Sequence, residues 1–373
     1  MKPDAKTIYA QSSDIKSRSY LEYRKDMKKK AIAELEVLEW LNKKFKKLYH
    51  NKKVKISKSG GDKFLWFLRE GGISRASDFI GEINNKIIEI EFQYAEKENL
   101  DFYDFKISKV VKKVEKKKVP IKNKLFVYIH KPSFRFAIFT PKWILKNGKI
   151  GEVPAWRTPA YRVPKEKFEK LLKEDNDLKK LCRIIDMKNY ILDFQHKLIE
   201  IYKENLSCLL QSVIDEEKIV RIIPKDLDSF FKICFILENT NKLPKNINLW
   251  LIYLLTFINE KLDLEKISKI VYSLDFLYMH TKLQQNELSE MIKKTKIVLN
   301  KIKSFSQKDG SFTSSYKVSP LEETRYALFS INLIEDIIQD CLFYYKIVEF
   351  NPITKIYQTV PDLEKTYKFV TNT

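Results

Sequence analysis

The stretch Ser77-Asp78-Phe79-Ile80-Gly81-Glu82-Ile83-Asn84-Asn85-Lys86-Ile87-Ile88-Glu89-Ile90-Glu91-Phe92-Gln93-Tyr94 limits what this chain can fold into more than any other. Asn tolerates the left-handed backbone that tight primed turns require, so Asn84-Asn85 between two apolar-rich runs predicts a two-stranded hairpin. With that pair as the turn, Ile83 pairs with Lys86, Gly81 with Ile88 and Phe79 with Ile90. Phe79, Gly81, Ile88 and Ile90, together with Phe92, make one side of the ribbon apolar. The other side carries Asp78, Glu89, Glu91 and Gln93, and the same register sets Asp78 against Glu91. Opposed residues have β-carbons roughly 5 Å apart, where like charges are destabilising unless something offsets the repulsion. A divalent cation would offset it.

The charge distribution gives this hairpin a setting. The 373 residues carry a net charge of +21. Residues 1 to 174 hold 42 Lys and Arg against 22 Asp and Glu, whereas the remainder holds 28 against 27. A general lysine bias would raise both halves alike, so the basic excess belongs to the half with the acidic hairpin, as a domain gripping a phosphate backbone requires. The length suits two domains, 1–174 and 175–373, with the boundary expected near Glu174-Asp175-Asn176-Asp177. No apolar run reaches the roughly 18 residues of a membrane span and the start lacks a signal-peptide core, so the expected location is cytoplasmic, with no membrane partner. Cys182, Cys208, Cys234 and Cys341 are scattered without zinc-ligand spacing and read as buried small hydrophobes. His196 and His280 each stand alone within helical stretches and read as structural. No phosphate-cradling G-x-x-x-x-G-K-[ST] motif is present.

In chain order, residues 1 to 13 read as a loose arm and 14 to 50 as a helix, its apolar stripe Ala31, Leu35, Leu38, Leu41 and Phe45. The Phe64 to Leu68 run reads as core, and Gly60-Gly61 and Gly71-Gly72 as turns. Residues 100 to 118 read as a helix, with Tyr103, Ile107, Val110, Val111 and Val114 on one side and Lys106, Lys109, Lys113 and Lys116 on another. Leu125 to Ile129 and Phe134 to Phe139 read as strands, the first central, and Lys165 to Lys173 as an amphipathic helix. The rest is predominantly helical, with periodic runs at about 179–212, 226–238, 246–260, 263–280, 283–304 and 320–342, and a short hairpin near Asn351-Pro352.

An Asp, a carboxylate about a dozen residues on in the following strand, and a polar residue two places later resemble the signature of the PD-(D/E)XK nuclease superfamily, here Asp78, Glu91 and Gln93. Ser77 stands where Pro is usual, and Gln93 where Lys is usual, an E-x-Q variant. A second register would use Asp78, Glu89 and Glu91. The resemblance covers roughly residues 15 to 174 and implies an α/β (α+β) restriction-endonuclease-like core, a mixed sheet flanked by helices, followed by a mostly α-helical C-terminal domain serving recognition or dimerisation. It further implies a metal-dependent endonuclease hydrolysing DNA phosphodiester bonds, of restriction type. Asp78, Glu91 and the Phe92 carbonyl would hold Mg²⁺ or Mn²⁺. Gln93 would orient water or phosphate. Glu34, with Glu36 second, would supply an acid from the preceding helix, and Lys106 could replace the ammonium missing at Gln93. The lysines at 106, 109, 113 and 116, with Arg157 and Arg162, would contact double-stranded DNA. A non-catalytic nucleic-acid-binding protein on a degenerate nuclease fold, or an RNA-processing nuclease, are the alternatives.

Overall fold

A computed structural model describes residues 20–50, 52–59, 77–96, 101–114, 117–153, 158–211, 220–240, 242–259, 261–281, 283–344 and 360–372. Strands β2 (Phe79–Ile83) and β3 (Lys86–Ala95) form the hairpin in the expected register, from Ile83 opposite Lys86 to Phe79 opposite Ile90. Asn84 and Asn85 have φ of 47° and 63°, the positive pair that a type I′ turn needs. The apolar side is buried at Phe79, Gly81, Ile83, Ile90 and Phe92. The ladder stops one pair short of Asp78, where the chain bends.

The hairpin lies within a six-stranded mixed sheet. Its other strands are β1 (Val54–Lys58), β7 (Lys124–His130), β8 (Arg135–Phe139) and β11 (Lys173–Glu174), in the order β1-β2-β3-β7-β8-β11. All pairings are antiparallel except β3 with β7, which sets Glu89 beside Lys124, Glu91 beside Phe126 and Gln93 beside Tyr128. As expected, β7 is central: Phe126 to Ile129 are all buried.

Helix α1 (Tyr20–Leu48) precedes the sheet. Its buried stripe is Ile32, Ala33, Val37, Trp40, Leu41 and Phe45, rotated from the expected one, since Ala31, Leu35 and Leu38 are only partly buried. The rotation carries Glu34 fully inward. Trp40 packs edge-on against Phe136 of β8, ring centroids 5.3 Å apart. Asn42 ties α1 to the edge strand: its amide donates to the Ile56 carbonyl at 3.0 Å and accepts from the Ile56 N–H at 2.9 Å. One side chain thus does for β1 what a neighbouring strand would do.

The expected helix over 100–118 is absent. Its residues form β4 (Phe102–Lys106), a single helical turn α2 (Ile107–Val110), and the two-stranded ribbon β5 (Val111–Val114) and β6 (Lys117–Pro120). Tyr103 and Phe105 alternate with the more exposed Phe102, Asp104 and Lys106 along β4, which pairs with β10 (Thr158–Pro164), itself paired with β9 (Lys149–Val153). Tyr103, Phe105, Val110 and Val111 enter an aromatic core with Phe126, Tyr128, Phe139 and Phe168. The β-branched valines and alternating aromatics fit a pleated surface better than a helix. Helix α3 (Pro141–Asn147) follows β8, and the amphipathic helix expected over 165–173 is a short α4 (Lys165–Glu169) that gives way to β11.

Two units divide the chain between Asp186 and Met187, within helix α5 (Asn176–Gln211), rather than at 174. The second unit is helical, with α6 (Leu227–Thr240), α7 (Ile247–Thr256), α8 (Leu264–Met279), α9 (Gln285–Ser304), α10 (Pro320–Tyr344) and α11 (Leu363–Asn372). Twelve of the sixteen residues of α8 are buried, which makes it the central helix, packed by α6, α7 and α10. The loop before α10 is fixed by Glu323, which accepts from the Ser314 hydroxyl at 3.0 Å and from the backbone N–H groups of Ser314 and Ser315. Cys182 and Cys234 are buried thiols; the side chains of Cys208 and Cys341, the arm at 1–13, the Phe64 to Leu68 run with its flanking glycines, and the hairpin near Asn351 lie outside the described residues. No helix among the described residues is long and apolar enough to cross a membrane.

Removing the Asn42 side chain leaves the Ile56 N–H and carbonyl without their partner. Asn42→Ala is expected to lower stability by roughly 2 kcal/mol, read as a shift of the denaturation midpoint, whereas substitution of the exposed Glu39 on the same helix should leave the midpoint unchanged.

Candidate active site

The acidic side of the hairpin becomes a site where the ladder ends. Asp78, at the bend before β2, is 5% exposed and its Oδ2 accepts from the Phe92 N–H at 2.8 Å. That bond replaces the ladder pair the strands do not make. Glu91, 7% exposed, comes from β3, and Glu34, 1% exposed, from α1. Three carboxylates from three elements are thereby buried in one neighbourhood. Burial, reinforced by Glu34 and Glu91, pushes the Asp78 carboxyl up to about 7, against the pull of Lys30 and of the Phe92 N–H. Desolvation and like charges act together here, and each disfavours the ionised form.

Ammonium groups surround the acids. Lys30, one turn before Glu34 on α1, lies 3.6 Å from Glu34 and 3.7 Å from Asp78. Lys58, at the end of β1, pairs with Glu34. Lys109 of α2 donates to Glu91 at 2.9 Å. Lys124, itself only 5% exposed at the start of β7, lies 3.1 Å from both Glu89 and Glu91. The parallel β3–β7 register explains the last contact, because it sets Lys124 beside Glu89 on one sheet face. Glu89 also accepts from the Ser77 hydroxyl at 2.9 Å. Burial opposes its ionisation, but Lys124 and Ser77 hold its carboxyl below the usual range.

The residues singled out in the sequence therefore divide. Asp78, Glu91, Glu34 and the Phe92 backbone are brought together. Gln93 is two residues along β3 from Glu91, on the same face and partly buried beside Tyr128. Glu89 adjoins through Lys124. The four lysines at 106, 109, 113 and 116 do not line one helix face, because no helix runs through them: Lys106 closes β4, Lys109 turns inward to Glu91, Lys113 lies on β5, and Lys116 is outside the described residues. From this segment Lys109 brings an ammonium to the motif, at Glu91. Arg162 is engaged with Asp104 at 2.9 Å and lies over the Phe102 ring at 4.5 Å, while Arg157 is outside the described residues. Lys30, Lys58 and Lys124 were not readable as site residues, because their roles depend on the packing of α1, β1 and β7 around the hairpin. The only sequence cue was the unusual lysine opening an otherwise apolar strand at Lys124.

A buried set of carboxylate oxygens is the donor chemistry that Mg²⁺ or Mn²⁺ takes. Glu34 Oε1 accepts no hydrogen bond despite its burial, and the Lys30 ammonium lies 3.6 Å from it. Among the described residues, however, no group of three His, Cys, Asp or Glu side chains is drawn together closely enough to hold an ion, and the carboxylates are paired with lysines instead. The donors fit a hard cation in kind, and the lysines occupy their lone pairs.

Because the folded Asp78 value is raised from 3.8 to about 7, its contribution to stability is fully present below about pH 4 and lost as pH rises through 7. The full difference corresponds to about 4 kcal/mol. Asp78→Asn keeps an acceptor for the Phe92 N–H and is expected to stabilise the protein at pH 8 but not at pH 4, as measured by denaturant unfolding at both. Comparison of the chain with family models, with curated proteins and with solved structures returned no match.

Proposed function

We propose that the unit within residues 5 to 186 is a restriction-endonuclease-like domain and that the chain is a metal-dependent endonuclease hydrolysing DNA phosphodiester bonds, of restriction type and cytoplasmic, its helical unit serving target recognition or dimerisation. The observation that carries the reading is the burial of Glu34, Asp78 and Glu91 in one neighbourhood, with Asp78 pushed up toward neutral pH. Glu34 and Glu91 both repel charge on Asp78, and perturbed acids of this kind cluster at functional sites.

Mg²⁺ would be held by Asp78, Glu91 and the Phe92 carbonyl, with Glu34 behind them. When bound it supplies an activated water and neutralises charge on the scissile phosphate. Gln93 positions that water or a phosphate oxygen by hydrogen bonding, as an uncharged side chain can. Lys109 and Lys124, which donate to Glu91 in this structure, would be free to turn toward the phosphate if a cation were held at that carboxylate. With Lys30 and Lys58, they act as stand-ins for the cation.

The same lysine pairs favour a second reading, a nucleic-acid-binding protein whose acids are permanently neutralised from within. Nicking of supercoiled plasmid, duplex, single-stranded and RNA substrates with Mg²⁺ or Mn²⁺ separates the two. Asp78→Ala and Glu91→Ala are each expected to lower cleavage on the order of 10³-fold or more while leaving binding in Ca²⁺ intact. Salt-sensitive binding with no cleavage of any substrate in either metal establishes the second reading.

A further inference from the structure

We propose that the β5–β6 ribbon is a duplex-binding arm that enters a groove of double-stranded nucleic acid and delivers the backbone to the carboxylate site. The inference rests on the nuclease reading for the identity of that site, but the arm has evidence of its own. From Lys109 to Lys124, both included, the chain carries eight lysines and one glutamate. The ribbon pairs Val111 with Pro120, Lys112 with Val119, Lys113 with Lys118 and Val114 with Lys117. The register sets two lysine positions opposite each other, a cross-strand pairing that is unfavourable unless an anion intervenes.

Among the described residues the ribbon leans mainly on two short helices, α2 against β5 and α3 against β6. It forms a two-stranded sheet of its own, and an isolated two-stranded hairpin is marginally stable at best. Its anchors are at the root, where Val110 and Val111 are buried in the aromatic core and the Ile121 N–H donates to the Val110 carbonyl at 3.1 Å. Beyond the root, Lys112 and Lys118 are exposed. A lysine-rich ribbon of this kind fits a polyanion, and a two-stranded ribbon fits a major groove about 12 Å wide.

The root connects the arm to the chemistry. Lys109, just before the ribbon, and Lys124, just after it, both touch Glu91. A duplex held along the ribbon therefore has its backbone led to the residues that neutralise the metal-site carboxylate.

The test uses the full-length protein and fluorescence anisotropy of a labelled 20-base-pair duplex and the corresponding single strand, in Ca²⁺, across a salt series. The variants are Lys112→Ala/Lys118→Ala and, as a control with the same charge change, Lys167→Ala/Lys170→Ala from other exposed positions. The ribbon variant is expected to bind the duplex about ten-fold more weakly at 0.1 M salt, and its log–log salt slope should fall by about 2, one for each phosphate the ribbon no longer neutralises. The control should match the wild type, and Mn²⁺ binding measured by calorimetry should be unchanged in both. An unaltered duplex affinity and slope in the ribbon variant would overturn the arm while leaving the nuclease reading standing. Equal losses on duplex and single strand would overturn groove entry. A wild type that takes up no Mn²⁺ but shows the ribbon-dependent duplex binding would retire the nuclease reading and keep the arm.

Discussion

The hydrogen bond from the Phe92 N–H to Asp78 decides where the acids stand. It holds a buried carboxylate at the point where the β2–β3 ladder runs out, and it fixes that carboxylate against the residue following Glu91. Everything else near the site accommodates the resulting concentration of negative charge. The order of the sheet brings Lys58 in on one flank and Lys124 on the other, α1 contributes both an acid and a base, and α2 turns Lys109 back toward β3. A hydrophobic replacement of this cluster would make a more stable protein, since the attraction within buried ion pairs seldom offsets their desolvation.

The hairpin was legible because its information is local. Two asparagines fix the turn, the turn fixes the register, and the register assigns each side chain to a face. Glu34 was legible for a related reason, since helical spacing placed it near the inward stripe, although the stripe itself is rotated by about a residue. Lys30, Lys58 and Lys124 were not, because nothing near them in the sequence refers to the hairpin. Their contacts arise only when α1 crosses the sheet and β7 pairs in parallel with β3 after an excursion of nearly thirty residues.

The stretch from 100 to 118 misled for a physical reason. Lysines recur there at three- and four-residue spacing, and the apolar residues between them satisfy a helical period as readily as a strand period. What separates the alternatives is side-chain shape: Val110, Val111, Val114 and Val119 are β-branched, and Tyr103 and Phe105 alternate strictly. Weighing branching above periodicity would have recovered β4 and the ribbon, and with them the inward turn that carries Lys109.

The positive backbone angles at Asn84 and Asn85 limit how descendants of this chain can vary in length. Side chains on a strand change face with every residue, so one inserted or deleted residue between the turn and Glu91 would send Glu91 into the apolar layer and bring Ile90 or Phe92 out in its place. Only paired changes preserve the parity. The hairpin is therefore a segment whose length is held by the parity of its strands.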